Sequence, residues 1–179
     1  MAHCTIASMA LAGAGQVKSL SASSERAGCE FVAYVCRWDQ ATVAVVTGAN
    51  KGIGYEIARI LASEGFTTVV ASRNPSLGSA AVAQLKAAAP EAAVDVVQLD
   101  ITEPASVAAC AEFLKTKYGK VDILVNNAGI AYKGSTFGAE EAAITMNCNL
   151  KGTRRISEAV LPLMSEGGRI VNLCSRCGT

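Results

Sequence analysis

The sequence lacks the features that would place it at once among membrane proteins, nucleic-acid-binding proteins or disordered chains. No apolar run reaches the roughly 18 residues that a membrane-spanning helix needs. The formal net charge is only +1, so the chain offers no basic field for nucleic acid or for an anionic membrane. With 51% hydrophobic and 17% charged residues it is not globally disordered, and 179 residues suffice for one domain with a sizeable core.

The sequence also lacks a regular cysteine framework and a cluster of metal ligands. Its seven cysteines are scattered, with no spacing typical of a secreted disulfide scaffold, which favours a reducing compartment. Cys174 and Cys177 form a C-x-x-C, but zinc needs a second ligand pair, and Cys29 and Cys36 are poorly spaced for one. The single histidine, His3, lies in the N-terminal tail. We therefore predict no metal site.

Residues 1–40 differ in composition from the rest of the chain. Residues 1–24 contain many alanines and several serines, no acidic residue, and Lys18 as their only lysine. This composition suits an organelle transit peptide, although its arginine content is low for one, and a disordered extension is an equally good interpretation. We expect a cytoplasmic protein, or a plastid or mitochondrial one if residues 1–40 are a transit peptide.

From Ala41 onward, apolar runs of strand length alternate with amphipathic segments of helix length. The runs are rich in valine and isoleucine and do not alternate with polar residues, which is typical of strands buried on both faces of a parallel sheet. Thr102 can cap the third helix, because Glu103 and Pro104 follow it. The predicted strands are 43–46, 68–71, 94–99, 123–125 and 170–173, and the predicted helices are 55–63, 77–88, 104–117 and 140–164.

This alternation predicts a single α/β domain over residues 41–179. Strands joined by right-handed helical crossovers form a doubly wound parallel sheet, for which we expect the order 3-2-1-4-5 with helices on both faces. Ligands of such sheets bind beyond the carboxyl ends of the strands. The loops that follow the predicted strands are therefore the places to look for a site.

The first predicted strand runs into a glycine-rich loop, TGANKGIG at residues 47–54, and then into a helix. Gly48 allows a sharp turn off the strand, Gly52 lets the backbone approach a pyrophosphate, and Gly54 allows close packing of the helix. Glycine loops also serve ordinary turns, but a strand before and a helix after are the context that dinucleotide binding requires. The loop therefore predicts a dinucleotide site at the helix N-terminus.

The second predicted strand ends at Arg73, where an NAD site usually has an acid that accepts hydrogen bonds from the ribose 2′-hydroxyl. Lys51, in the glycine loop, is a second cation that could reach the same ligand. Because a 2′-phosphate suits a guanidinium fork, these residues predict NADP(H) rather than NAD(H). The alternative is that Arg73 is only a solvated surface charge.

The glycine loop and the tetrapeptide Asn126-Asn127-Ala128-Gly129 together resemble the short-chain dehydrogenase/reductase family over residues 41–178. Further stretches, such as VDILVNNAGIAYKGST, are similar to the NADPH-dependent carbonyl reductases of that family. The resemblance implies a Rossmann-like fold and these cofactor-binding residues: Gly48, Asn50, Lys51, Gly52, Ile53, Gly54, Arg73, Asp100, Ile101, Asn127, Ala128 and Gly129.

The resemblance also implies two catalytic residues and a reaction. Asn149 matches the asparagine that holds a water in a proton relay, and Ser175 matches the serine whose hydroxyl binds the substrate carbonyl. Asp100 and Ile101 match the pair that contacts the adenine. The implied reaction is reduction of an aldehyde, ketone or quinone to an alcohol by hydride transfer from NADPH.

One element of the family pattern has no match among the 179 residues. The family's proton donor is the tyrosine of a Tyr-x-x-x-Lys motif well beyond the serine, and only four residues follow Ser175. We expect the chain to be a fragment of a longer reductase, to leave its fifth strand as a free sheet edge, and to be inactive alone. The alternative is an NADP-binding module or pseudoenzyme without chemistry.

Overall fold

The structure is a computed structural model that describes residues 38–132 and 138–174. Those residues form a five-stranded sheet in the order β3-β2-β1-β4-β5, and all its strand pairs are parallel. The predicted fold class and strand order are confirmed. The strands are β1 (Val43–Thr47), β2 (Thr67–Ser72), β3 (Val94–Gln98), β4 (Val121–Asn126) and β5 (Met164–Asn172).

Helices connect the strands and cover both faces of the sheet. Every residue of β1 is buried, as its apolar composition predicts, and adjacent residues of β1 pack into cores on opposite faces. Val45 packs in the core that contains Leu114, and Val46 packs in the core that contains Leu85. The α-helices are α1 (Gly52–Ser63), α2 (Pro75–Ala88), α3 (Pro104–Tyr118), α4 (Ala139–Met146) and α5 (Thr153–Val160).

The predicted helix over residues 140–164 matches the extent of a continuous helical stretch to within one residue at each end, but that stretch is not α-helical throughout. A π-helical segment at Asn147–Gly152 separates α4 from α5, and a single 3₁₀ turn at Leu161–Leu163 follows α5. Pro162 lies in that turn and has no N–H to continue the helical hydrogen bonds, so the chain leaves the helix there. Strand β5 consequently begins at Met164, earlier than predicted.

The predicted cap of the third helix was also wrong. Glu103 occupies the N-cap position of α3 and makes no side-chain capping bond. The hydroxyl of Thr102 instead donates to Asp100 Oδ1 at 2.6 Å, so this side chain stabilises the loop before the helix. The boundaries of the first four strands and the first three helices otherwise lie within three residues of the predicted ones.

Strand β5 lies at one edge of the sheet and, within the described residues, pairs only with β4. Its pairing is irregular, because the register shifts between Val121 and Ile123, and most of its side chains are exposed. No described helix is long and apolar enough to cross a membrane. The predictions for residues 1–37, for Cys177 and for Ser175 lie outside the described residues.

Candidate active site

A cleft of about 520 Å³ opens beyond the carboxyl ends of β1 to β4. It lies where the strand order reverses between β1 and β4, the position at which doubly wound sheets bind ligands. All twelve residues predicted to bind the cofactor line this one cleft. Four residues that were not predicted to bind the cofactor also line it: Leu99, Thr102, Ile130 and Cys148.

The glycine loop takes the backbone path that its composition requires. Gly48 and Gly52 have φ values of +66° and +60°, in the left-handed region that side chains other than glycine rarely adopt. A Cβ at Gly54 would lie 2.3 Å from Asn127 Nδ2 and 2.8 Å from Gly48 O, so only glycine fits there. Gly54 thus allows α1 to approach the loop after β4, and the first three residues of α1 line the cleft.

Thr47 and Asn127 join the glycine loop to the loop after β4. The Thr47 hydroxyl accepts hydrogen bonds from the N–H groups of Asn127 and Ala128, both at 3.0 Å, and donates to Val125 O at 3.3 Å. Asn127 Nδ2 donates to Thr47 O at 2.9 Å and to Gly48 O at 3.3 Å. The Asn127 side-chain nitrogen therefore joins two walls of the cleft.

The charged residues of the cleft lie on different loops. Lys51 and Arg73 are exposed and follow β1 and β2, whereas Asp100 follows β3 and is partly buried. Burial raises the pKa of the Cys148 thiol, Asp100 raises it further, and Arg73 opposes the increase. These influences indicate that Cys148 lies near both charges and carries a neutral thiol, which suits a wall residue better than a nucleophile.

Asn149 does not line the cleft but supports a residue that does. Its Oδ1 accepts from Ile130 N at 2.9 Å, and its Nδ2 donates to Ile130 O at 2.8 Å. The Asn149 side chain is thereby engaged with the main chain of the loop that follows β4. Its predicted part in a proton relay stays a prediction, and Ser175, the other predicted catalytic residue, lies outside the described residues.

None of the tyrosines within the described residues is arranged as a proton donor for the cleft. The Tyr118 hydroxyl donates to Asp95 Oδ2 at 2.5 Å near the amino end of β3, at the opposite end of the strands from the cleft. Burial and Asp95 raise the pKa of Tyr118 well above its usual value, which weakens it as an acid. Tyr55 lies within α1 and Tyr132 is exposed after β4, and no lysine follows either of them at the fourth position.

Of the four additional cleft residues, Leu99, Thr102 and Ile130 adjoin predicted site residues in the sequence, so adjacency would have found them. Cys148 was harder to predict, because no local pattern indicates that a π-helical segment places this residue in the cleft lining. Its position directly before Asn149, a predicted catalytic residue, is the one local feature that points to it. In the π-helical segment, Cys148 and Gly152 are the buried residues.

The chain is similar to known reductases in both sequence and structure. It is 42% identical over 159 residues to (+)-neomenthol dehydrogenase of Arabidopsis thaliana, matching 75% of this chain and 54% of that protein. It is 43% identical over 136 residues to carbonyl reductase (NADPH) 1 of Mus musculus, matching 74% of this chain and 48% of that protein. The chain thus spans about half the length of these curated relatives.

Among solved structures, the menthone neomenthol reductase of Mentha piperita superposes with a TM-score of 0.70 at 37% identity, covering 77% of this chain and 62% of that one. Salutaridine reductase of Papaver somniferum gives a TM-score of 0.71 at 34% identity, covering 77% and 58%. The family model described as short chain dehydrogenase matches residues 42–179, which include the glycine loop and the whole described cleft. The chain belongs to the short-chain dehydrogenase/reductase family.

Proposed function

We propose that the cleft binds NADP(H), with the pyrophosphate at the N-terminus of α1 and the 2′-phosphate beside Arg73 and Lys51. The single observation that carries this proposal is that all twelve predicted cofactor residues, from four separate loops, line one cleft. No acidic residue stands at the end of β2, where NAD sites usually have one, and Arg73 occupies that place. A guanidinium there favours a ligand that carries an extra phosphate.

The glycine loop fits a phosphate group without rearrangement. A Cβ at Gly52 would meet no atom within 4 Å, so the backbone there borders open space that a ligand can approach closely. The first turn of α1 contains no acidic residue that would repel an anion. On the other side of the cleft, Leu99 and Ile101 are buried and apolar, as a wall for an adenine ring requires.

We propose further that the complete protein reduces a carbonyl compound, an aldehyde, ketone or quinone, to an alcohol. Bound NADPH supplies a hydride for this chemistry. The names of the relatives, carbonyl reductase and neomenthol dehydrogenase, support the class of reaction. By family resemblance Ser175 would bind the carbonyl oxygen, while Asn149 holds the loop at Ile130 in place beside the cleft.

The cofactor proposal is tested by titrating the 179-residue chain with NADPH and with NADH and following the fluorescence of the reduced nicotinamide. We expect saturable binding of NADPH and at least tenfold weaker binding of NADH, since one charge-assisted contact is worth about 1.5–3 kcal/mol. Equal affinity for the two cofactors would contradict the assignment of Arg73 and Lys51. Absence of binding to either would contradict the proposed function itself.

The reaction proposal is tested by NADPH oxidation with a reactive quinone or aldehyde. The 179 residues contain no Tyr-x-x-x-Lys motif. The comparison is a longer chain in which a segment of a carbonyl reductase relative, containing that motif, follows Thr179. We expect the 179-residue chain to turn over about 10²–10⁴-fold more slowly than this longer chain. Comparable rates would show that a tyrosine already present supplies the proton. An extended chain that binds NADPH but reduces nothing would favour the alternative, an NADP-binding module without chemistry.

We propose the cytoplasm as the compartment of the protein, with a plastid or mitochondrion as the alternative if residues 1–40 act as a transit peptide. The scattered cysteines support a reducing environment. Fusing residues 1–40 to a fluorescent protein separates the two possibilities. Diffuse cytoplasmic fluorescence is expected, and accumulation in an organelle would establish the targeting function of this segment.

A further inference from the structure

Arg155 of α5 makes a long-range contact with the loop that follows β3. Its Nη1 donates a hydrogen bond to Ile101 O at 2.6 Å, although the two residues are 54 positions apart in the chain. We propose that Arg155 is a positioning residue that sets the adenine end of the cofactor cleft through Ile101. This inference rests on the proposed function, because it assumes that the cleft binds a dinucleotide.

The loop at Asp100 has its own internal bonds, but these do not tie it to α5. Asp100 Oδ1 accepts from Thr102 N at 2.9 Å as well as from the Thr102 hydroxyl, and Asp100 N donates to Ser106 Oγ at 2.9 Å. These bonds define the shape of the loop and join it to the start of α3. The bond from Arg155 is the one that fixes the Ile101 main chain relative to the helical segment carrying Asn149.

The same loop also rests on the helical backbone at Gly152. A Cβ at Gly152 would lie 2.9 Å from Ile101 Cγ1 and 3.0 Å from Ile101 O, so Ile101 packs directly onto this glycine. Ile101 is 4% exposed and lines the cleft, as does Cys148 from the same helical segment. The packing at Gly152 and the hydrogen bond from Arg155 therefore hold Ile101 in place relative to the helical segment that contributes Cys148 to the cleft.

Charge pairing does not account for Arg155 in the described part of the chain. Its neighbour Arg154 is exposed and forms an ion pair with Glu158 at 2.6 Å, whereas Arg155 is partly buried and makes no ion pair among the described residues. A guanidinium bound to a single main-chain carbonyl makes a charge-assisted bond whose direction is set by the geometry of the donor. Arg154 therefore provides a matched control of the same type on the same helix.

The experiment compares ligand affinities of the 179-residue chain and its variants. Arg155→Met keeps much of the side-chain length but removes the donor, Arg155→Lys keeps one, and Arg154→Met is the control. The probes are NADPH, adenosine 2′,5′-bisphosphate for the adenine half, and reduced nicotinamide mononucleotide for the other half. We expect Arg155→Met to weaken NADPH and the bisphosphate about tenfold, the size typical of one lost charge-assisted bond, and to leave the mononucleotide unchanged.

We expect Arg155→Lys to restore most of the affinity and Arg154→Met to bind like the unaltered chain. A merely structural function of Arg155 would lower the affinity for both half-ligands together, or lower the melting temperature without selective loss, and either result overturns the proposal. Unchanged binding of the bisphosphate by Arg155→Met would also overturn the proposal. If the unaltered chain binds none of the probes, the proposed function fails and the inference fails with it.

A second variant keeps the test decisive if Arg155→Met does not fold. Gly152→Ala leaves the guanidinium intact but pushes against Ile101 through the added methyl group. We expect the same selective loss for the adenosine probe, because the wall residue moves in both variants. A Gly152→Ala chain that folds and binds the bisphosphate with unaltered affinity contradicts the positioning of the adenine end by this helix.

Discussion

The side-chain amide of Asn149 forms hydrogen bonds in both directions with the main chain of Ile130. Its oxygen accepts from the N–H at 2.9 Å and its nitrogen donates to the carbonyl at 2.8 Å. One side chain thus satisfies both main-chain groups of Ile130. Asn149 lies in the π-helical segment and Ile130 follows β4, so this pair connects the helical layer to a loop that lines the cleft. π-helical segments inserted in helices often mark functional sites.

Replacing Asn149 by Asp should loosen the loop at Ile130. The carboxylate can still accept from Ile130 N, but it cannot donate to Ile130 O and places negative charge against that carbonyl. Because the pair is exposed, we expect a loss of only about 1 kcal/mol in the free energy of unfolding, measured by urea denaturation at neutral pH. Asn147→Ala, in the same segment but without this pair, should differ by less than about 0.5 kcal/mol. Equal losses in both variants would contradict the assignment.

Replacing Arg73 by Asp should reverse the preference between the two cofactors. The change removes a cation from the rim of the cleft and adds an anion, so binding of NADPH should weaken by about 2 kcal/mol or more. NADH should lose much less, since an acid at this position can accept from the ribose 2′-hydroxyl. Arg59→Asp, which makes the same two-unit change of charge at an exposed arginine outside the cleft lining, is the control for net charge. Parallel losses for both cofactors would argue against a 2′-phosphate site at Arg73.

Replacing Gly54 by Ala should destabilise the protein through the contact between α1 and the loop after β4. The added methyl group would lie 2.3 Å from Asn127 Nδ2 and 2.8 Å from the Gly48 carbonyl, and the backbone atom cannot move aside cheaply. We expect a loss of about 1–3 kcal/mol in the free energy of unfolding, as for other overpacked sites. Gly138→Ala is the control, because its new methyl group would meet only the flexible end of Glu141. A stable Gly54→Ala chain with intact NADPH binding would disprove this packing.

Asp122 should stabilise the fold in a pH-dependent way. Burial by itself raises the pKa of this carboxyl, but hydrogen bonds from Val43 N and Ser165, together with Lys120, outweigh burial and hold the pKa below its ordinary value. A carboxyl whose pKa is lower in the folded state contributes stability above its unfolded pKa of about 3.9, and that contribution is lost as the pH falls through the folded pKa. Near neutral pH, Asp122 should therefore make its full contribution to the free energy of unfolding.

The measurement compares Asp122→Asn with the unaltered chain by urea denaturation across the acid range. We expect the variant to be about 1–2 kcal/mol less stable at pH 7, because a charge-assisted bond to the Val43 N–H at 2.8 Å is lost, and the difference to shrink below about pH 4. Glu158→Gln, whose carboxylate is exposed in a surface pair, should show almost no pH-dependent difference. A difference that stays constant down to low pH would rule out the ionised carboxylate as its source.

The features that the sequence alone determined are those with a local physical cause. The segment at residues 43–46 has no polar residue to face water, which indicates a strand buried on both faces. Gly48 and Gly52 adopt backbone conformations that glycine adopts most easily, and their spacing between a strand and a helix predicts the phosphate loop. The strand order follows from the alternation of strands and helices, and the family resemblance pointed to twelve of the sixteen residues that line the cleft.

Only the tertiary structure decided the features that depend on residues distant in the chain. The bonds from Asn149 to Ile130 and from Arg155 to Ile101 join positions that no local pattern relates. The hydrogen bond between Arg155 and Ile101, 54 positions apart, exists because the fold brings α5 against the loop after β3. Its geometry is set by the packing of the whole domain rather than by either segment.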